Sequence, residues 1–458
     1  MATTGGLWVH MVGIAGAGMS GIARILSEQG NKVSGSDLQT NNITKYLETL
    51  GIEIYQGHSS SHVKEGVDLL VVSSAIPQDN SEVVRARERN IPILKRGQML
   101  ANLVNSKKGI AVAGAHGKTT TTSMLYMVLS ESGIDPDFIV GGELQNSNLN
   151  AKLGSSDYFV VEADESDASF LELKPFIAVV TNIEDDHLDY YKSFDNIKNA
   201  FRQFLDGIHE DGFAVVNGGD EWVREITTEY EKRIIFYGET PDCDYYINNW
   251  KNKGLGSVFD VYHKEKCLGT IELSVPGRHN ALNALATICI ALQLGVDFEN
   301  IKKAIIKFRG TKRRFEIIGQ TDNNVLVVDD YAHHPTEIKA TLDAANNFHQ
   351  GRIIAVFQPH RYSRTKALGK ELGAAFVKAD LAIFTEIYAA GEKTIPGISG
   401  KTVFNSAIEA GCNAIYIPNM YDICDFLKDN LTSNDLIITM GAGDIWKVGV
   451  EFFNSING

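Results

Sequence analysis

The chain has 458 residues, a length that suggests about three domains. Hydrophobic residues make up 44% and charged residues 22% of it, which excludes a largely disordered or collagen-like protein. The 43 Lys and Arg residues against 57 Asp and Glu residues give a net charge of −14 at pH 7, so we expect no nucleic-acid partner.

Several features bear on location. No segment reaches about 18 uninterrupted apolar residues, so membrane insertion is not expected. Residues 1–23 carry no Asp, Glu, Lys or Arg, but six glycines interrupt them and no basic start precedes them, which is unlike a secretory signal. The five cysteines form no C-x-x-C pair and no zinc-ligand spacing. We therefore expect reduced thiols and a cytoplasmic protein. We expect either a monomer or a homodimer.

The chain begins with a predicted run of short apolar strands and amphipathic helices. A strand at 7–14 leads through glycines into a helix that ends near Gln29. Further strands are predicted at 32–36, 53–55 and 68–73. Strands separated by helices favour parallel α/β units with right-handed crossovers.

Two more runs of the same kind follow. The second has strands at 109–113, 158–163, 177–182 and 213–217, and the pattern at 245–275 instead favours short antiparallel strands. The third run has strands at 325–329, 353–357, 381–385 and 436–440. Charge and glycine interrupt the pattern near 105–108 and 307–312. The prediction is three α/β domains, at 1–107, 108–311 and 312–458.

The first strand is followed by a glycine-rich turn. Gly16, Gly18 and Gly21 have the G-x-G-x-x-G spacing, which lets backbone amides at a helix N-terminus meet a diphosphate. Asp37 ends the second strand, where a carboxylate can accept a hydrogen bond from a ribose hydroxyl. A nicotinamide dinucleotide, another diphosphate nucleotide and a purely structural turn all remain open at this point.

A second glycine loop follows the strand at 109–113. It reads G-x-x-G-K-T from Gly114 to Thr119, a shortened phosphate loop with Val112 where the full pattern has glycine. Lys118 can reach terminal phosphates, and the Thr119 hydroxyl can reach Mg²⁺. One loop for a diphosphate and another for a triphosphate fit simple redox chemistry poorly.

Acidic and basic side chains follow later strands. Glu162, with three more carboxylates among the next five residues, suits a hard cation or is a solvated acidic turn. His187 is a ligand, a phosphate partner or a surface residue. Two histidines next to two aspartates at 329–334 could suggest zinc, but adjacent loop residues usually point apart. Arg361 is the better candidate for pairing with a carboxylate or phosphate.

In this order and spacing, the segments resemble the Mur ligases, the ATP-dependent amino-acid ligases of peptidoglycan precursor synthesis. The resemblance covers nearly the whole chain and rests on GAGMSGIA, SGSD, SSAI, GAHGKTTTT, EADESDASF, TNIEDDHLD, PGRHNALNA, GTKRRFE, DDYAHHPTE, FQPHRYSRT and GAGDI. It implies a Rossmann-like N-terminal domain that binds the UDP-sugar. It also implies a central P-loop ATPase-type domain with a mostly parallel sheet, and a Rossmann-like C-terminal domain that helps to bind the amino acid.

The same resemblance implies roles for individual residues. The cofactors are ATP and Mg²⁺. The ATP site comprises Gly114, Ala115, His116, Gly117, Lys118, Thr119 and Thr120 around the phosphates and His279, Asn280 and Asn283 around the adenine. The UDP-sugar site comprises Gly16, Ala17, Gly18, Met19, Ser20, Asp37, His58, Ser73 and Ser74. The metal ligands are Thr119, Glu162 and His187, and the catalytic residues are Lys118, His187, Arg314, His334 and Arg361.

Two features bear on which member of the family the chain resembles, and a third position, Ala115, is a departure from the family pattern with little expected consequence. Phe201 stands where the later amino-acid-adding ligases carry a lysine, and the segment QPHR at 358–361 stands where the tripeptide-recycling relatives have an EPRS-like segment. Ala115 departs from the threonine common in relatives but stays small. The resemblance therefore implies that UDP-N-acetylmuramate and L-alanine are the substrates and that an acyl phosphate is the intermediate.

Overall fold

A computed structural model describes residues 6–147 and 149–457. The N-terminal strands form a parallel sheet in the order β3-β2-β1-β4-β5. Helix α1 packs Met19, Ile22, Ile25 and Leu26 into the core, the spacing of an amphipathic helix. The elements are β1 (Trp8–Val12), α1 (Ala17–Glu28), β2 (Lys32–Asp37), α2 (Asn42–Thr49), β3 (Glu53–Gln56), β4 (Leu69–Val72), α3 (Ser81–Glu88), β5 (Ile93–Lys95) and α4 (Arg96–Val104).

The central part of the chain carries a sheet in the order β15-β14-β13-β12-β11-β10-β6-β9-β7-β8. Strands β6, β9, β10, β11 and β12 pair in parallel, whereas β7 and β8 pair antiparallel. The strands are β6 (Lys108–Ala113), β7 (Asp137–Ile139), β8 (Ala151–Lys152), β9 (Tyr158–Glu162), β10 (Ile177–Val180), β11 (Phe213–Asn217), β12 (Ile234–Gly238), β13 (Tyr245–Lys253), β14 (Gly256–His263) and β15 (Lys266–Leu273). The helices are α5 (Lys118–Glu131), α6 (Leu188–Tyr191), α7 (Phe194–Asp206), α8 (Glu221–Ile226), α9 (Arg278–Gln293) and α10 (Phe298–Ile305).

The C-terminal sheet has the order β16-β17-β21-β18-β19-β20 and is parallel except for the pair β16–β17. Its strands are β16 (Glu316–Gln320), β17 (Leu326–Asp330), β18 (Ile353–Phe357), β19 (Leu381–Phe384), β20 (Ala414–Tyr416) and β21 (Leu436–Met440). Its helices are α11 (Pro335–Phe348), α12 (Tyr362–Ala374), α13 (Gly400–Glu409), α14 (Asp422–Asn430) and α15 (Trp446–Asn457). The inner strands β18 and β21 are fully buried, as apolar runs covered on both faces must be.

The predicted α/β class and the predicted strands are confirmed, with small differences at strand ends. The first strand ends at Val12 because Gly13, at φ +82°, already turns the chain. Sequence reasoning did not place β5, β7, β8, β12, β16 and β20. Most of these are short or lie at sheet edges, where an apolar run is weak.

By its internal contacts the chain divides into two compact units. The first comprises the described residues up to Asn248 together with Asp260–Gly269 and Leu282–Ile305, and the second comprises the other described residues. The first therefore holds both glycine loops. None of the described helices is long and apolar enough to cross a membrane.

Candidate active site

The first glycine loop joins β1 to α1 at the carboxyl end of the N-terminal sheet. Gly16 caps α1, and the backbone amide of Ala15 donates to Asp37 Oδ2 at 3.0 Å. Asp37 ends β2, as the sequence predicts, and its carboxylate lies against this loop. Its contact with a ribose hydroxyl stays a prediction. Ser20 donates its N–H to Gly16 and its hydroxyl to Ala17 O, so both groups are engaged within the helix. The side chain of Met19 is buried, which leaves the backbone at the start of α1 to meet a ligand.

The second glycine loop joins β6 to α5 and is held closely by its neighbours. A Cβ added to Gly114, at φ +136°, would lie 2.0 Å from the Thr181 hydroxyl oxygen. A Cβ on Gly117, at φ +84°, would lie 2.6 Å from Asn283 Oδ1 on α9. Both positions therefore require glycine, and the predicted adenine residue Asn283 lies next to the phosphate loop.

Lys118 opens α5, and its ammonium group is buried under the loop. Its Nζ donates to the carbonyls of Gly114 and Ala115 and to Glu165 Oε1, the last at 2.7 Å. Burial lowers the pKa of Lys118, but the nearby carboxylates of Glu165 and Glu162 outweigh it and raise that pKa. The lysine is therefore charged and poised at the loop where phosphates would bind.

Glu165 is the partner of Lys118 and is 4% exposed. Burial raises its pKa to about 7, against the lowering effect of Lys118. Among the described residues, no hydrogen-bond partner reaches its buried Oε2 atom. An unsatisfied buried carboxylate oxygen is expensive, so this atom fits a bound cation.

Glu162 and Thr119 lie beside this pair. The Thr119 hydroxyl donates to Glu162 Oε1 at 2.9 Å, and the amide of Gly141 donates to Glu162 Oε2 at 2.8 Å. A hydroxyl and carboxylates are oxygen donors of the kind that Mg²⁺ prefers. The residues present therefore fit a divalent cation at the carboxyl end of β9.

His187 precedes α6 in a left-handed conformation, at φ +61°. Its Nε2 atom lies 3.8 Å from Glu165 Oε1 and 3.6 Å from Asp186 Oδ2. The structure thus brings His187 to the Lys118–Glu165 pair.

His116 lies within the phosphate loop. Its backbone amide donates a hydrogen bond to Asn182 Oδ1 at 2.8 Å, and its Nε2 atom lies 3.2 Å from Glu184 Oε2.

A cavity of about 310 Å³ separates the first glycine loop from the acidic residues. It is lined by Gly18, Ser74, Arg96, Leu100, Ile139, Val140, Gly141, Glu162 and Asp164. Arg96 opens α4, and its guanidinium donates to Asp164 Oδ2 at 3.1 Å. A Cβ on Gly18 would lie 3.2 Å from Arg96 Nη1, so this cation also borders the glycine turn. The planar fork of arginine suits diphosphates and carboxylates.

In the second compact unit, polar residues gather where β17 ends. Asp330 accepts hydrogen bonds from the amide of Ala332 and the hydroxyl of Thr341, both at 2.9 Å. Burial raises the pKa of Asp330 to about 6, against the lowering effect of Arg314. Arg314 donates to Glu337 Oε1 at 3.3 Å, which places a cation at this edge.

The remaining predicted residues of this unit lie at the starts of helices. His334 precedes Pro335 at the start of α11, and its side chain is buried. Arg361 precedes α12 at φ +70°, a strained conformation for arginine that is typical of functional sites. Its buried Nε has no hydrogen-bond partner among the described residues. His279 and Asn280 lie in the first turn of α9, where the Asn280 side chain donates to Pro276 O at 2.7 Å.

Three successive stretches of the chain match domains of one family. Residues 8–108 match the Mur ligase family catalytic domain, residues 112–291 the Mur ligase middle domain, and residues 313–443 the Mur ligase glutamate ligase domain. A UDP-N-acetylmuramate–L-alanine ligase from Syntrophomonas wolfei is 64% identical over 98% of this chain and 97% of its own length.

The chain belongs to the Mur ligase family.

Other relatives agree with this assignment. A UDP-N-acetylmuramate–L-alanine ligase from Desulforamulus reducens is 49% identical over 98% of this chain and 97% of its own length. The crystal structure of a UDP-N-acetylmuramate-alanine ligase from Thermotoga maritima has a TM-score of 0.85 and 30% identity, and 99% of each chain is covered. A murein peptide ligase from Psychrobacter arcticus has a TM-score of 0.73 and 26% identity over 99% of each chain. The chain is thus an enzyme with the three-domain α/β Mur ligase fold, and Mur ligases are ATP-dependent.

Sequence analysis of this Mur ligase missed two residues of the candidate site, Glu165 and Arg96. Glu165 was only one carboxylate in an acidic run, and nothing in the run singles it out as the partner of Lys118. Arg96 carried a usable signal, because it directly follows β5 and so lies at the carboxyl edge of the sheet where ligands bind.

Proposed function

We propose that this Mur ligase joins L-alanine to the lactyl carboxylate of UDP-N-acetylmuramate and converts ATP to ADP and phosphate. The product is UDP-N-acetylmuramoyl-L-alanine, a peptidoglycan precursor. The observation that carries the proposal is the cavity between the diphosphate-type glycine loop and Glu162 beside the phosphate loop. The curated relatives named above are alanine-adding ligases, which supports this choice of substrates.

The position of Phe201 supports the choice within the family. Its side chain is 1% exposed and packs edge-on against Phe170, which stacks in turn on Phe204 in the core. The later amino-acid-adding ligases carry a lysine at this position, and a lysine could not enter this apolar cluster without a large desolvation cost. The surroundings of Phe201 therefore favour a member that works without that lysine.

We assign the UDP-sugar to the N-terminal domain, residues 1–107. The diphosphate would meet the backbone of Gly16, Ala17, Gly18 and Met19 at the positive end of α1. The uridine would lie near Asp37 and His58, and the sugar would pass Ser73 and Ser74. Ser20, although predicted with this group, would act by holding the turn.

We assign ATP to the central domain, residues 108–311. The phosphates would lie on residues 114–120, with Lys118 against the terminal pair. Adenine would lie by His279, Asn280 and Asn283. Thr119, Glu162 and His187 would hold Mg²⁺, which supplies positive charge to the transferred phosphoryl group.

The chemistry requires one anion to approach another. A pair of unit charges about 4 Å apart repels by roughly 4 kcal/mol at an effective dielectric constant of about 20. Lys118 offsets this repulsion at the phosphates, and Arg96 borders the cavity where the carboxylate would lie. The lactyl oxygen attacks the γ-phosphorus, the bond to ADP breaks, and an acyl phosphate forms.

The C-terminal domain, residues 312–458, would supply the amino acid. The amine of L-alanine attacks the acyl carbon, phosphate leaves, and a proton is released. Arg314 and Arg361 would stabilise the acyl-phosphate oxygens or the alanine carboxylate, and His334 would orient its loop. We further propose that the enzyme is cytoplasmic, where ATP and nucleotide sugars are available. We propose that it is a monomer or a homodimer.

The proposed function is tested by measuring ligand binding, with NAD as the control nucleotide, and by identifying the product. UDP-N-acetylmuramate should raise the melting temperature by mass action, and NAD should not. With ATP and Mg²⁺ present, phosphate release should need both the UDP-sugar and L-alanine, and mass spectrometry should find the amide on the lactyl carboxylate. A product containing D-glutamate or a tripeptide would assign the chain to a different member of the Mur ligase family. Phosphate release without any amide would indicate a nucleotide switch.

A further inference from the structure

The N-terminal domain contains a buried carboxylate that the proposed chemistry does not use. Glu82, near the start of α3, is completely buried and accepts hydrogen bonds through both oxygens. We call it and its partners the Glu82 cluster. The partners are His10 Nε2 at 3.0 Å, Ser36 Oγ at 2.7 Å, the Ser59 amide at 3.0 Å, His62 Nδ1 at 3.1 Å and His58 Nδ1 at 3.3 Å.

The protonation of these partners follows from the charge of Glu82. Burial alone raises its pKa, but hydrogen bonds from His10 and Ser36 outweigh this effect and lower the pKa to about 2. A carboxylate is only an acceptor, so each ring nitrogen that faces it must carry a proton. Nδ1 of His58 also lies 3.0 Å from Ser36 Oγ, whose hydroxyl donates to Glu82. Nδ1 of His58 therefore carries a proton, which it donates to Ser36 Oγ or to Glu82.

His58 lies at the edge that we assign to the nucleoside. It follows β3, whose residue Gln56 pairs with Asp37, and the amide of Gly57 donates to Asp37 O at 2.7 Å. Asp37 in turn accepts from the first glycine loop. With Nδ1 turned inward, Nε2 of His58 has no hydrogen-bond partner in the described part of the chain. A neutral imidazole with Nδ1–H presents at Nε2 a lone pair that accepts a hydrogen bond.

We propose that Glu82 is a positioning residue that fixes His58 in the Nδ1–H form, so that Nε2 accepts a hydrogen bond from the N3–H of uracil. Cytosine carries a lone pair at N3 and would face the lone pair of His58. The Glu82 cluster is thereby a device for base selection. The inference rests on the proposed function, because it takes the UDP-sugar as the substrate.

Binding of UDP and CDP to the full chain tests the inference by calorimetry. The parent should bind UDP about tenfold more tightly than CDP, the size expected for one hydrogen bond. His58→Ala should reduce this ratio to about one, and so should Glu82→Gln. The double variant should lose no more than either single variant, because Glu82 acts through His58. Losses that multiply in the double variant would overturn the proposal.

Kinetics separate positioning from a general loss of structure. Glu82→Gln should raise the KM for the UDP-sugar about tenfold and leave kcat and the KM for ATP within about twofold. The control is Glu88→Gln on the same helix, where an exposed carboxylate pairs with Arg85. It should change none of these values. A fall in kcat with unchanged KM would overturn the positioning role.

A measurement on the unmodified chain covers the case in which Glu82→Gln does not fold. Nitrogen NMR of histidine-labelled protein, with His58→Ala to assign the signal, should show His58 as the Nδ1–H tautomer. The Nε2–H tautomer would overturn the inference while leaving the ligase proposal intact. Failure of the parent to bind UDP would overturn both.

Discussion

The pairing of Lys118 with Glu165 makes separate predictions for stability and for activity. Lys118→Met keeps most of the apolar stem and removes the ammonium group. Glu165 is then left buried without its cation, a change that typically costs about 3–5 kcal/mol of unfolding free energy. Because the pKa of Glu165 is already about 7, the carboxyl can take up a proton. We therefore expect the lower value, about 3 kcal/mol, from urea denaturation without nucleotide.

Activity should fall for a different reason. The ammonium group of Lys118 stabilises phosphate charge, which is present only when nucleotide is bound. Loss of a preorganised cation of this kind costs about a thousandfold in kcat, or roughly 4 kcal/mol. Lys118→Met/Glu165→Gln removes the stranded carboxylate and should recover most of the lost stability. It should recover none of the alanine-dependent phosphate release.

Lys107→Met is the matched control. Lys107 pairs at 2.8 Å with Asp137, another buried carboxylate, whose pKa is raised by burial. Its loss should lower stability by a similar amount, about 3 kcal/mol, and leave kcat unchanged. If Lys118→Met kept a tenth of the parent activity, or if the double variant regained activity, the phosphate-loop role of Lys118 would be refuted.

Three further predictions concern metal, backbone and acid stability. Glu162→Gln should shift the Mg²⁺ dependence of phosphate release at least about tenfold upward, whereas exposed Glu172→Gln should overlay the parent titration. Gly114→Ala should lower the free energy of unfolding in urea by more than about 3 kcal/mol, because backbone strain and a steric clash combine. The control is Gly133→Ala, where φ is positive but the added Cβ meets no atom, and it should lower that free energy by about 1 kcal/mol. The depressed pKa of Glu82 stabilises the fold above pH 4.5 and loses that effect as the pH falls toward 2. The parent should lose about 2 kcal/mol more than Glu82→Gln between pH 5 and pH 3, and equal losses would contradict the assignment.

Contiguous motifs made part of the candidate site predictable. The residues from Gly114 to Thr119 would meet phosphates through neighbouring backbone groups, so their spacing in sequence is their spacing in space. Asp37 was predictable because the end of β2 must lie beside the end of β1 in a parallel sheet. The three α/β domains followed from strands that alternate with helices, and their exact boundaries stay a prediction.

Pairs that are distant in sequence were not predictable. Arg96 meets Asp164 across 68 positions, and Lys118 meets Glu165 across 47. Each partner is one of many charged residues, and only tertiary packing decides which two meet. Sequence patterns report local periodicity, and a single salt bridge leaves no trace in it.

The contacts of Glu82 also could not be predicted from the sequence. In the segment SEVVRARE it is indistinguishable from an ordinary acid in the first turn of an exposed helix, where carboxylates are common because of the helix dipole. Its burial is decided by His10 on β1 and Ser36 on β2, which lie 72 and 46 positions away. Five hydrogen bonds then compensate a charge that would be prohibitively costly in the core. Because its hydrogen-bond partners belong to separate elements, the Glu82 carboxylate fixes how those elements are oriented. In our proposal, it also fixes the ring of His58 at the edge of the sheet where uracil would bind.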